Sequence, residues 1–193
     1  IDFGEERKIK PFSWQKAFPT IFNNGGFDVV IGNPPYVDYR SFSSNIQEYL
    51  KYKFNSTKTK EKYSLYIPFI ELGSVLLNKD GHLGFIVPNT FLSTNMGYEL
   101  RKFLIKNTSI SEITDVSKLK VFGNVGTYPI LFFYKNIYSD KNIISISYPE
   151  SIDTFFNLQF SSIKQNEIKE EDHFIISSSF NKNSITFLNR LDS

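Results

Sequence analysis

The sequence predicts an α/β fold built on a largely parallel sheet, and three features carry that expectation. Short apolar, β-branched runs alternate with stretches of helical spacing. The first run, Phe27-Asp28-Val29-Val30-Ile31-Gly32, stops abruptly at Asn33-Pro34-Pro35-Tyr36, and a second, Leu83-Gly84-Phe85-Ile86-Val87, stops at Pro88-Asn89. Near-continuous apolar runs belong to strands buried on both faces, and proline just beyond a run marks the end of ladder pairing. The carboxyl edge of such a sheet is where open α/β folds bind ligands.

Each element follows in order. Residues 1–24 mix charge, aromatics, Pro11 and Pro19; a short helix is expected near Trp14–Phe18, with a turn at Asn23-Asn24-Gly25-Gly26 before the first strand. After Tyr36, Ser43 or Ser44 can cap a helix to about Tyr52, and the stretch from Lys51 to Lys62, five lysines against Glu61, reads as a mobile loop. Leu65, Phe69, Leu72, Val75 and Leu76 recur at helical spacing, and Asn78-Lys79-Asp80-Gly81 supplies a stop before the second strand. The next helix carries Leu100, Phe103 and Leu104 on one side and Arg101, Lys102 and Lys106 on the other.

Three more strands are expected at Ile110–Val116, Tyr128–Tyr134 and Ile143–Tyr148. Strand and helix alternation implies right-handed crossovers and a mostly parallel sheet, and the close spacing of the last strands implies an antiparallel addition at one end. Beyond residue 149 the signals weaken to a short strand near Phe174–Ile176 and a helix from about Asn183.

Composition bounds the chemistry. The 193 residues, 40% hydrophobic and 17% aromatic, suffice for a real core. A net charge of +2 says little about a polyanionic partner. The absence of cysteine removes disulfides, thiol nucleophiles and thiolate metal sites, and fits a reducing compartment. No apolar run approaches the ~18 residues that span a bilayer and no signal peptide is visible, so the reading is soluble and cytoplasmic. His82 and His173 have no ligand-spaced companions, and no metal is expected. The chain starts at Ile1 rather than Met and stops inside a helix-like stretch, so it reads as a piece of a longer polypeptide.

The tetrapeptide is the candidate site. Asn33 offers a side-chain carbonyl, Pro34 a backbone carbonyl with no amide hydrogen following it, and Tyr36 an aromatic face. Together they suit a planar molecule bearing an amino group.

In this context the sequence resembles the adenine-N6 DNA methyltransferases of restriction–modification systems, including those that carry restriction and modification on one polypeptide. The resemblance spans roughly residues 12 to 136. It rests on Phe12 to Trp14, Phe27 through Tyr36, Tyr66-x-x-Phe69-Ile70-Glu71, Gly81-His82-Leu83-Gly84-Phe85-Ile86-Val87-Pro88-Asn89, Leu100-Arg101 and Val121-Phe122, in that order. It implies the C-terminal half of a Rossmann-like class I sheet dependent on S-adenosylmethionine, acting on double-stranded DNA.

It also implies roles. The Asn33 and Pro34 carbonyls would draw the lone pair of an adenine amine out of the ring and onto nitrogen, each aimed acceptor worth about 3–4 kcal/mol by analogy with oxyanion-hole donors. A base inside duplex DNA must rotate out to reach them. Tyr36 would stack on one face of the flipped base and Phe122 on the other. Asn33, Pro35 and Phe69 would touch the cofactor, with Phe69 against its adenine ring. Lys58, Lys60 and Lys62 are candidates for DNA phosphate contacts.

Plainer readings stand beside these: Phe122 and Phe69 as packing aromatics, the lysine run as a solvated loop, and Gly123 and Gly126 as loop glycines. The glycine-rich loop and acidic residues of the cofactor cradle should precede Phe27, yet only 26 residues do, and no Gly-x-Gly follows a strand. The expected layout is therefore a lead-in over 1–24, a partial catalytic domain over 25–148, and a linker over 149–193 toward an absent target-recognition domain. The piece alone is expected to be inactive, with an open sheet edge prone to self-association. Two other functions use the same motif differently: a protein glutamine N5-methyltransferase, and a non-catalytic DNA-binding or assembly subunit.

Overall fold

The computed structural model describes residues 12–123 and 128–176. Its strands are β1 (Phe27–Gly32), β2 (Leu77–Pro88), β3 (Ser109–Asp115), β4 (Pro129–Lys135), β5 (Ile143–Ser147) and β6 (Ser161–Lys164). Its helices are α1 (Trp14–Ala17), α2 (Pro19–Asn23), α3 (Ser44–Lys53), α4 (Tyr66–Leu76), α5 (Tyr98–Asn107) and α6 (Ile152–Phe156).

One sheet has the order β1-β2-β4-β3-β5-β6. β1 pairs parallel with β2 and β3 with β5, while β4 runs antiparallel to both of its neighbours and β6 antiparallel to β5. Four of the six strands thus share a direction, and the antiparallel end strand is β6. A second antiparallel strand, β4, is inserted between β2 and β3.

The core lies on one face. Leu83, Phe85, Val87, Phe132, Tyr134 and Ile113 point into it, covered by Tyr66, Ile67 and Ile70 of α4 and Leu100 and Leu104 of α5. Gly73 lets α4 approach closely, since a Cβ there would sit 2.1 Å from Leu83 Cδ1. On the opposite face Ile31 is 79% and Val29 57% exposed, beside half-buried Ile86, Leu131 and Phe133. β1 is also a sheet edge.

Several local expectations change. β2 begins at Leu77, because Asn78 to Gly81 do not end the chain's run but form a bulge inside the strand. Register jumps from Phe27↔Leu77 to Val29↔His82, and Asp80 takes φ 73°. Before β1, Gly26 (φ 123°) is required, as any Cβ would meet the Leu76 carbonyl at 2.6 Å.

The stretch after α3 is pinned rather than loose. Ser56 and Thr57 are buried, the Thr57 hydroxyl donates to the Leu50 carbonyl (2.8 Å), and the buried Glu71 carboxyl accepts from the Asn55 and Ser56 amides at 3.0 and 2.7 Å. Arg101, expected on the solvent side of α5, is fully buried. Its guanidinium donates to the carbonyls of Phe91 (2.6 Å), Thr94 (2.7 Å) and His173 (2.9 Å). Burial pushes its pKa down to about 10, which leaves it protonated at neutral pH.

The segment after residue 149 joins the same body as far as Ile176. β6 extends the sheet, and buried Gln165 satisfies both ends of its amide. Its oxygen accepts from the Ile110 amide (2.9 Å), and its nitrogen donates to the Thr108 carbonyl (2.6 Å). Phe174–Ile176 is not a strand: His173 and Phe174 are left-handed, and the Ile176 amide donates to Leu92. The helix expected from Asn183 lies outside the described residues.

Candidate active site

β1 ends at Gly32, so the tetrapeptide leaves the carboxyl edge of the sheet beside β2. Proline at 34 and 35 removes two amide donors and prevents the ladder from continuing. Pro34 is buried, Asn33 and Pro35 are exposed and Tyr36 is half-buried. Among the described residues nothing hydrogen-bonds the Asn33 side chain, so its carbonyl and amide are available at the strand end.

Tyr36 is held firmly. Its hydroxyl donates to the Ile86 carbonyl on β2 (3.0 Å), and burial pushes its pKa up, keeping the phenol neutral. Its ring meets Tyr66 edge-on at 6.1 Å and Phe122 edge-on at 6.4 Å. Tyr66 in turn shares a hydrogen bond with Thr90 (2.9 Å), and burial pushes it up to about 12. The structure thus brings Tyr36 and Phe122 together, with their planes 82° apart rather than as parallel plates.

Phe122, 38% exposed, is carried on a tight turn in which Lys120 (φ 49°) and Gly123 (φ 72°) are left-handed. The base of that turn is tied to the sheet edge. Asp115, at the end of β3, accepts from the Ser117 amide (2.9 Å), from the Ser117 hydroxyl, and from the Asn89 amide nitrogen (3.3 Å). Residue 126 lies outside the described residues.

Asn33, Pro34 and Pro35 also line a cleft of about 230 Å³, together with Phe69, Leu72 and Trp14 and with Val30, Gly73, Leu76 and Phe85. Among the described residues no charged side chain lines it. Phe69 is 38% exposed, on the α4 surface rather than in the core. Asn33 therefore lines an apolar cleft, three residues before the Tyr36 of the aromatic pair.

The lysines sit along a neighbouring rim. The segment after Tyr36 pairs with residues 63–65: the Leu65 amide donates to Val37 (2.8 Å), the Tyr39 amide donates to Tyr63 (3.2 Å), and the two tyrosine rings stack at 4.3 Å. Lys58, Lys60 and Lys62 are exposed on the approach to this strip, and Lys58 Nζ donates to Asn55 Oδ1 (2.7 Å). Asp38 and Arg40 form an ion pair there (2.6 Å), which holds the Asp38 carboxyl down to about 2.

The profile of the Eco57I restriction-modification methylase family matches residues 1–122. The chain belongs to that family. Among methylases it resembles are the type II methyltransferase M.BstVI of Geobacillus stearothermophilus and the type II restriction enzyme and methyltransferase RM.Eco57I of Escherichia coli. It is 35% identical to the first over 127 residues (65% of this chain, 22% of the relative) and 28% identical to the second over 186 residues (96% and 17%). The chain spans about a fifth of the length of these methylases. The methyltransferase subunit of a type I restriction-modification system from Streptococcus thermophilus shares its fold, with a TM-score of 0.58 at 18% identity over 79% of this chain and 37% of that one. The sheet thus has the fold of a restriction-modification methyltransferase subunit, an α/β sheet as the alternation of elements predicts and Rossmann-like as the resemblance implies.

Sequence reading gave Trp14 no role, although it stands in the cleft wall. The available signal was its place in Phe12-Ser13-Trp14, shortly before the strand that ends at Gly32. The Asp115–Asn89 tie was also missed; Asp115 closes β3 and Asn89 follows β2, and the two strand ends lie at one edge.

Proposed function

We propose that this chain is the base-handling part of a DNA adenine-N6 methyltransferase of a restriction–modification system, which moves a methyl group from S-adenosylmethionine to a flipped adenine. The observation that carries the reading is the placement of Asn33: a side-chain amide with no hydrogen-bond partner among the described residues, at a strand end, lining an apolar cleft three residues before the Tyr36 of the Tyr36–Phe122 pair. Family membership and the names of the methylase relatives support the reaction class.

The residues fit the cofactor in part. The cleft suits an apolar planar group held by Phe69 and Pro35 near Asn33, and among the described residues it offers no charge for an amino-acid or ribose moiety. When bound, S-adenosylmethionine supplies a methyl group made electrophilic by its sulfonium. Asn33 and Pro34 accept the two hydrogens of the adenine amine through their carbonyl oxygens, which localises the nitrogen lone pair and aims it. Tyr36 gives the base a stacking surface in place of its lost neighbours, and the Phe122 ring turns from edge-on to cover the second face. After transfer the nitrogen loses a proton to water. Lys58, Lys60 and Lys62 face the DNA backbone.

The layout follows. Residues 1–24 lead in, 25–148 form the partial catalytic domain, and 149–193 lead toward a target-recognition domain, their first part to Ile176 being packed onto the catalytic sheet through β6. The rest of the catalytic domain, with most of the cofactor site, pairs along β1, whose exposed Ile31 and Val29 await cover. The 193-residue chain alone is inactive and self-associates through that edge, and the whole enzyme acts in the cytoplasm on chromosomal DNA. No helix among the described residues is long and apolar enough to cross a membrane.

The test is transfer of labelled methyl by the full-length polypeptide to duplex DNA, followed by nucleoside analysis. The expected product is N6-methyladenine. Label on cytosine, or on protein glutamine with none in DNA, would overturn the proposal.

A further inference from the structure

We propose that Trp14 is the second aromatic wall of the cofactor cleft, taking the adenine ring of S-adenosylmethionine opposite Phe69. The inference rests on the function proposed above and adds a residue that the methyl-transfer chemistry itself does not require.

Trp14 is positioned by the local sequence. Ser13 caps α1, its hydroxyl accepting from the Lys16 amide (3.4 Å), and Phe18 stacks on the indole at 5.9 Å. Phe12 and Phe27 meet the indole edge-on at 5.1 and 6.2 Å. Phe27 opens the strand that ends at Gly32, next to Asn33, so the indole is registered to the tetrapeptide through one rigid element.

Trp14 is nonetheless only half-buried, and part of it lines the same cleft as Phe69. No ring pairing joins the two among the described residues, so the space between them is open to a guest. A helix lead-in that served packing alone would have little reason to leave its largest ring at the mouth of a cleft walled by Asn33 and Pro35.

The chemistry of the lining selects which part of the cofactor enters. Carboxylate, ammonium and ribose hydroxyls need charge or hydrogen-bond partners, and burying them without these is costly. Among the described residues the cleft lining offers two polar side-chain groups, the Asn33 amide and the Trp14 indole N–H, and no charge. The adenine ring is the one planar, largely apolar portion, and stacking between aromatic faces is its usual means of capture.

Trp14 is the single tryptophan of the chain, so its emission reports directly on the cleft. The 193-residue chain is titrated with adenosine, guanosine and methionine, following tryptophan emission and, separately, saturation transfer from protein to ligand by NMR. Adenosine is expected to quench emission saturably and to receive saturation on its base protons, while methionine does neither. Trp14→Ala is expected to weaken adenosine binding about tenfold by NMR, with Trp14→Phe, which keeps a ring, close to wild type. Phe69→Leu should shift the emission titration in the same direction.

Saturation transfer to adenosine with unchanged emission, and an unchanged affinity in Trp14→Ala, would overturn the assignment of Trp14 while leaving the methyl-transfer reading intact. No saturation transfer to adenosine from a folded chain would overturn this assignment, while the methyl-transfer reading, whose cofactor site is placed mostly in the rest of the catalytic domain, is decided separately by the labelled-methyl product. Equal response to guanosine would overturn adenine as the occupant.

Discussion

Arg101 and Asn33 are both polar side chains in apolar surroundings, and they are treated in opposite ways. Arg101 is fully buried and spends its guanidinium on the carbonyls of Phe91, Thr94 and His173, joining the loop after β2 to the chain's last described turn. Asn33 is exposed at a strand end, its amide without a hydrogen-bond partner among the described residues. A saturated polar group can only hold structure; one left open beside a cleft can act on something that enters. Glu71 and Gln165 fall with Arg101, since each is buried and bonded to backbone.

The contrast can be broken at several points. The largest effect on stability is expected from Arg101→Met, which leaves three carbonyls without a donor and should cost about 3 kcal/mol in urea unfolding, each orphaned acceptor contributing ~1 kcal/mol or more. Lys102→Met, one position along on the same helix, should stay within about 0.5 kcal/mol. Equal effects would remove Arg101 from the scaffold side of the comparison.

Gly73→Ala should cost about 1–3 kcal/mol, because the new methyl group collides with Leu83 and pushes α4 off the sheet. Thermal unfolding reads it directly. Tyr36→Phe removes only the bond to Ile86 and should cost about 1 kcal/mol, while keeping the stacking ring. A greater loss would mean that Tyr36 serves the scaffold more than the site.

The smallest effect concerns pH. The Asp38 carboxyl is held below its ordinary value by Arg40, to about 2. Its contribution is therefore present above about pH 4 and is lost as pH falls through about 2. Both groups lie in water, so the change in stability is slight, but the carboxyl's NMR titration should show the low midpoint and return toward the ordinary range in Arg40→Gln.

Much of this was legible in sequence because the signals are local. β1 and its stop, the helix α4 and the α5 stripe each follow from residues within one turn or one strand, but the face of α4 does not: Tyr66, Ile67 and Ile70 are buried while Phe69 and Val75 of the expected stripe are exposed. The order of strands is not local: nothing within Pro129–Lys135 says that β4 lies between β2 and β3 rather than at an end. The bulge at Asn78 to Gly81 carried the residue types of a turn, and only pairing with β1 shows that the strand continues through it. Arg101 followed a polar pattern on α5, and its burial depends on carbonyls brought from residues 91, 94 and 173.

The site divides likewise. Asn33 to Tyr36 were legible because strand end and proline chemistry share one short stretch. The approach of Phe122 to Tyr36 agrees with the resemblance, but its edge-on angle and the Trp14 wall are products of tertiary packing.

The most direct measurement is Asn33→Ala in the full-length polypeptide, with single-turnover methyl transfer and thermal unfolding recorded on the same preparation. Removing one preorganised acceptor should slow transfer about 10²–10³-fold, with the melting temperature unchanged, since the side chain supports no structure. Transfer at the wild-type rate, or a loss matched by unfolding, would contradict the account.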